Sequence, residues 1–137
     1  MAVRRSIFLA LLTVGAPAQA SEPVTGRWVT QEGDSIVDIA KCGSQVCGRV
    51  ERLLRPVIGG PATDRNNRDP ALRSRPLVGL PILAGFTDRG REWVGTIYDP
   101  RSGKTYRSKL SKNADGSLKV QGCIAVFCQT QRWTSAR

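Results

Sequence analysis

Turn-forming residues recur roughly every ten positions along much of this chain, and that spacing decides its fold class. Gln31-Glu32-Gly33-Asp34, Asp88-Arg89-Gly90, Asp99-Pro100-Arg101-Ser102-Gly103 and Asn113-Ala114-Asp115-Gly116 are rich in the Gly, Pro and Asx residues that end regular structure. The runs between them are short, and many are rich in Val, Ile, Thr, Tyr or Trp. Leu118 and Val120 alternate with Lys119 and Gln121, the period-two pattern of a half-buried strand. The pattern predicts strands over residues 24–30, 35–41, 48–54, 82–87, 92–98, 104–110 and 118–122, with a last strand ending near Trp133. From residue 82 onward every connection is of hairpin length, so sequence neighbours pair antiparallel. Closing such a meander on itself removes exposed edges. The expected fold is all-β, a single antiparallel up-and-down barrel of about eight strands. Eight strands enclose an interior just wide enough for side chains or one small ligand.

One long loop after the third strand interrupts this order. Pro56, Gly59, Gly60 and Pro61, then the polar run from Thr63 to Pro70, argue against regular structure. Loops of this length in compact domains often cover or form binding sites. Asp64, Asn66 and Asp69 are oxygen donors, but the glycine and distal glutamate of a calcium-binding helix-loop-helix are missing. An Asx-rich turn is the expectation, with no metal site. Residues 71–75 suit one helical turn, ended by Pro76.

The four cysteines form two Cys-x4-Cys pairs, Cys42 with Cys47 and Cys123 with Cys128. Each spacing fits two strands joined by a four-residue loop that sets the cysteines opposite one another. Zinc binding is disfavoured by the absence of histidine and of Cys-x2-Cys spacing, and no Cys-x-x-Cys redox motif is present. Two local disulfides are expected, each contributing about 2 kcal/mol by loop closure.

Disulfides require an oxidising compartment, and the N-terminus points the same way. Arg4 and Arg5 are a basic region, residues 7–14 an apolar one, and Ala18-Gln19-Ala20 a small-residue cleavage site. The apolar run is too short to span a bilayer as a helix. The expectation is a signal peptide over residues 1–20, cleaved after Ala20, and a periplasmic or secreted β-barrel domain over residues 21–137. Cleavage would take Arg4 and Arg5 from a chain of 137 residues with 21 Lys and Arg, leaving 117 residues with 19 basic against 11 acidic side chains. These charges are scattered singly, which disfavours nucleic acid and leaves anionic envelope components as a class of partner.

No catalytic constellation emerges. There is no histidine for a triad and no serine in a Gly-x-Ser-x-Gly elbow. Most carboxylates, Asp64, Asp69, Asp88 and Asp99 among them, fall in predicted turns, and Asp38 in mid-strand is expected to face solvent. The chain reads as a non-enzyme needing no cofactor.

Several stretches together resemble the family called domain of unknown function 2147, small exported bacterial proteins, over nearly all of the chain beyond residue 20. They are Gly26-x-Trp28, Cys42 and Cys47 followed by Gly48, Asp64-x-Asn66-Asn67, and Leu72-Arg73-Ser74-Arg75-Pro76-Leu77-Val78-Gly79-Leu80. Trp93-x-Gly95-x-Ile97-Tyr98-Asp99-Pro100 and Gly103-Lys104-x-Tyr106 complete the set. Arg68 departs from the family's more usual proline. The resemblance implies a calycin-like barrel, similar to lipocalins and fatty-acid-binding proteins. It also implies that Trp28 closes one barrel end beneath a late arginine, for which Arg132 is the candidate.

Two readings of function follow. In the first, a small apolar or amphiphilic ligand such as a fatty acid occupies the barrel. Trp93, Tyr98 and Tyr106 supply aromatic bodies with polar tips. Arg73 and Arg75, beside the long loop, could pair with a carboxylate or phosphate head, and Leu80 adds apolar surface. These six are the candidate ligand-binding residues. In the second, the barrel is filled and the protein acts as an envelope interaction module through its basic outer surface. Oligomeric state is not legible.

Overall fold

The computed structural model describes residues 10–137. Arg4, Arg5 and the start of the expected apolar leader run lie outside the described residues, and residues 10–20 are exposed, with no strand or helix. Eight strands follow: β1 (Gly26–Val29), β2 (Ser35–Cys42), β3 (Gln45–Leu53), β4 (Pro81–Asp88), β5 (Trp93–Asp99), β6 (Lys104–Lys112), β7 (Leu118–Ile124) and β8 (Phe127–Ser135). Each pairs antiparallel with the next, and β8 returns to β1 through Trp28 opposite Ser135 and Val29 opposite Thr134. The barrel is closed, as the turn spacing predicts. The long loop separates β3 from β4, and its only helix is a 3-10 turn over Pro70–Leu72, capped by the Asp69 side chain.

Both disulfides form, Cys42 with Cys47 and Cys123 with Cys128. The expected four-residue loops are corrected, because the strands run further than the cysteines. Cys42 pairs with Gln45 and Ile124 with Phe127, leaving two-residue turns at Gly43-Ser44 and Ala125-Val126. Gly43, at φ 65°, takes a left-handed conformation that its missing Cβ makes inexpensive. Cys123 faces Cys128 directly, whereas Cys47 faces Ala40, so the first disulfide runs diagonally across its hairpin.

Inward positions hold the apolar side chains. Val37, Ile39, Val46, Leu83, Phe86 and Leu110 are buried in one cluster. Two glycines make room for the largest of them. A Cβ at Gly48 would stand 2.9 Å from Leu83 Cδ1, and one at Gly95 would stand 2.8 Å from the Phe86 ring. Leu83 and Phe86 therefore lie flat against the barrel wall, where a larger neighbour would displace them.

Trp28 is buried beside this cluster, its indole Nε1 donating to the Val24 carbonyl at 3.0 Å. The cation above it is Lys112, with Nζ 5.1 Å from the ring centroid. The expected Arg132 is elsewhere, paired with Asp115 and donating from Nε to Ser117 Oγ. Strand alternation explains the correction: Trp133 faces inward, so its neighbour Arg132 must face out. Asp38 is exposed on the outer face of β2.

Candidate ligand-binding cavity

The barrel is filled at one end and hollow at the other. A cavity of about 660 Å³ occupies the end bounded by the β1–β2 connection, the long loop, the β5–β6 turn and the β7–β8 hairpin. Ligand pockets in proteins span about 300–1,000 Å³. Val50 of β3, Ile82 of β4, Ile97 of β5, Val120 of β7 and Trp133 of β8 form apolar walls. Tyr106 and Gln131 add polar tips. The Trp133 indole donates to Gln131 Oε1 at 2.9 Å, which commits that oxygen and leaves the amide nitrogen as a donor. In the next layer inward, Ser108 pairs with Gly95 and Gly122; its hydroxyl is wholly buried with no hydrogen-bond partner among the described residues.

The long loop roofs this cavity with Val57, Thr63 and Leu77, and a buried carboxylate holds it down. Asp64 is fully buried. It accepts from Tyr98 Oη at 2.5 Å, Asn67 Nδ2 at 2.8 Å and Arg75 Nε at 3.0 Å. Its backbone amide donates to the Arg75 carbonyl at 2.9 Å. Burial and then the hydrogen bond and charge of Asp64 push the Tyr98 phenol up to about 12. The same loop meets the β5–β6 turn, where Asn66 Nδ2 donates to the Pro100 carbonyl at 3.1 Å. Gly103 is required there: φ is 69°, and a Cβ would overlap the Asn66 carbonyl oxygen.

At the rim, Arg101 bridges the acidic side chains of the β1–β2 connection, 2.6 Å from Asp34 and 3.6 Å from Glu32. Burial alone would raise the Asp34 carboxyl, but hydrogen bonds from Thr30, Ser35 and Arg101 together carry it below the ordinary aspartate value. Arg55 and Arg65 complete the cationic side of the opening.

Of the six candidate residues, Tyr98 and Tyr106 line the cavity. The other four stand apart from its lining. Arg75 is committed to Asp64, and Arg73 Nε donates to the Asn67 carbonyl at 2.8 Å, so both guanidinium groups brace the loop. Leu80 is packed in the apolar cluster. Trp93 lies at the β4–β5 end, its indole donating to the Glu22 carbonyl at 3.0 Å. Val50, Ile97, Gln131 and Trp133 were not among the candidates. Strand alternation could have placed each facing inward, but not at the hollow end rather than the filled one.

The barrel is similar to a solved structure described as "Protein HP1028 from the human pathogen Helicobacter pylori belongs to the lipocalin family", with a TM-score of 0.73 at 22% sequence identity over 84% of each chain. At that identity the likeness concerns the fold. No curated protein matches the chain significantly. The family model described as "Uncharacterized protein conserved in bacteria (DUF2147)" matches residues 26–135.

Proposed function

For this chain, which belongs to the DUF2147 family of bacterial proteins, we propose a non-catalytic binding function: one small apolar or amphiphilic molecule, such as a fatty acid or lipid fragment, held in the barrel cavity. The carrying observation is the cavity of about 660 Å³, with mostly apolar walls and a few polar tips. Apolar walls favour a hydrocarbon body. Tyr106 and the Gln131 amide offer hydrogen bonds to a polar head, and the rim arginines favour an anionic one. The braced roof limits the conformational cost of closing over a ligand. Two disulfides suit an oxidising compartment, which supports the reading of an exported, periplasmic or secreted protein.

Solvent extraction of the purified protein, with mass spectrometry of the extract, tests this reading. A stoichiometric lipid, or a fluorescent fatty acid bound at one site and displaced by a natural one, is the expected result. Val120→Trp, which puts an indole into the cavity, is expected to weaken that binding at least tenfold while the barrel stays folded. An empty extract together with no measurable probe binding overturns it.

A further inference from the structure

The rim of the cavity carries apolar side chains that fold into nothing. At the tip of the β7–β8 hairpin Ile124, Val126 and Phe127 are 67%, 86% and 80% exposed, and on the long loop Ile58 is 90% exposed. Ile124 and Phe127 stand at the cavity mouth itself. The Cys123–Cys128 bond clamps the hairpin directly below its tip, so these side chains cannot readily fold back over the barrel.

Cations stand beside them. Arg107 and Lys109 share a shallow surface depression with Ala125 and Val126, and Arg107 is the cross-strand partner of Cys123. Arg65 donates to the Ile58 carbonyl at 2.9 Å, and Arg55 lines the opening on the side of Gly33 in the β1–β2 connection. Arg55, Arg65 and Arg107 form no ion pair among the described residues, whereas the rim acids Glu32 and Asp34 are bridged by Arg101. With Asp99 also at the opening, the mouth carries Arg55, Arg65, Arg101 and Arg107 against Glu32, Asp34 and Asp99, a net of +1, while Lys109 is paired with Glu92. The chain as a whole has a formal net charge of +10.

Apolar tips ringed by unpaired arginines match the physical profile of a bilayer interface, where aromatic and aliphatic groups enter the acyl boundary and guanidinium groups meet lipid phosphates. We propose that the cavity mouth docks on an anionic lipid surface, with Val126 and Phe127 as the inserting wedge. This extends the proposed ligand-binding function, since docking would set the cavity opening against a source of amphiphiles.

The test uses the chain beginning at Ser21 and two sets of vesicles, phosphatidylcholine alone and phosphatidylcholine with an equal part of phosphatidylglycerol. Sedimentation is expected with the anionic vesicles and weakened by added salt. The double variant Val126→Ser, Phe127→Ser is expected to bind at least tenfold more weakly, with thermal stability unchanged because both side chains are exposed. Equal binding by the variant, or no sedimentation of the parent, overturns the proposal. Extraction of the cavity is read separately: docking with an empty extract sinks only the ligand reading, and a retained lipid without docking sinks only this one.

A different observation, at the opposite end of the barrel, carries a second inference. Ser21 is buried, although residues 10–20 before it are exposed. Its backbone nitrogen lies 3.1 Å from each Asp88 carboxylate oxygen, and its hydroxyl donates to Oδ1, which also accepts from Gly90 N. A peptide nitrogen has one hydrogen to divide between two oxygens, whereas an ammonium has one for each. We infer that Asp88 is the receiving site for the α-ammonium of a chain beginning at Ser21. Water added across the Ala20–Ser21 amide by a leader-removing protease leaves a carboxylate on Ala20 and the protonated amine on Ser21, turning a shared hydrogen bond into an ion pair.

Thermal melts of four chains test this: one beginning at Ser21 and one extended back to Ala18, each with Asp88 or with Asp88→Asn. The substitution is expected to lower Tm by about 3 °C more in the Ser21 chain than in the extended one. The excess should vanish when the α-amine is acetylated. Equal losses in both backgrounds, or an exported protein whose mass shows another N-terminal residue, overturn the inference.

Discussion

The Tyr98 hydroxyl donates to Asp64 Oδ1 across 2.5 Å, joining a barrel strand to a carboxylate wholly buried in the long loop. Asn67 and Arg75 converge on the other oxygen of the same carboxylate. The loop that roofs the cavity is thus held by one residue with three side-chain partners. Asp64→Ala is expected to cost about 2–3 kcal/mol, since Tyr98 and Asn67 lose a buried acceptor while Arg75, at 36% side-chain exposure, can turn to water. Asp69→Ala, which removes only the cap of the 3-10 turn, should cost about 1 kcal/mol. Urea midpoints of the two variants check the ranking; equal losses would remove Asp64 from this role.

Tyr98 also dictates an alkaline pH dependence. Its phenol is raised from 10.0 to about 12 in the folded protein, by burial first and then by Asp64. The folded state therefore holds the proton more tightly than the unfolded state. The associated stability is fully present below pH 10 and is lost as pH rises through about 12. Tyr98→Phe should show a shallower decline in stability over that interval, and ultraviolet absorbance of the parent should show one tyrosine ionising late. A parent and variant that lose stability in parallel would contradict this.

Gly95 should not tolerate even a methyl group. A Cβ there would meet the Ala84 carbonyl oxygen at 2.5 Å and the Phe86 ring at 2.8 Å. Gly95→Ala is expected to destabilise by about 2 kcal/mol through displacement of Phe86. At Gly122, across Ser108 in the same layer, the nearest atom to a Cβ is Ile97 Cγ2 at 3.8 Å, an ordinary contact. Gly122→Ala should lie within about 0.5 kcal/mol of the parent. Paired denaturation curves decide this, and a neutral Gly95→Ala would mean that the wall can yield.

Ser108 is the reverse case, a buried polar group whose loss should do no harm. Its hydroxyl has no partner among the described residues, so replacing it removes a desolvation cost and no hydrogen bond. Ser108→Ala is expected to leave stability unchanged or raise it by about 1 kcal/mol. A loss above that size would show that the hydroxyl is satisfied in solution, by water or by a ligand.

The barrel was legible because period-two alternation and turn chemistry are local. Leu118 to Gln121 declare a strand with an inner and an outer face, and Asn113 to Gly116 declare the turn before it. The disulfide pairing was equally local. Alternation also contained the correction to Arg132, since a residue beside an inward Trp133 must point outward. The reach of β2 and β3 past their cysteines was less accessible, because Cys-x4-Cys suits both a four-residue loop and a two-residue turn.

By itself the sequence determined the number of strands and their antiparallel order, because both rest on contacts between chain neighbours. Closure, which pairs the distant β1 and β8, followed from the need to remove exposed edges. Tertiary structure alone decided where the interior is filled and where it is hollow. Trp93 and Tyr106 carry the same aromatic signal, yet Trp93 sits at the β4–β5 end and Tyr106 lines the cavity. Arg75, plausible as a ligand's counter-charge, is consumed by Asp64 from elsewhere in the loop. The physical reason is that a cavity is what remains after distant side-chain volumes are summed around a closed sheet. Here Leu83 over Gly48 and Phe86 over Gly95 fill one part of the barrel and leave the rest open.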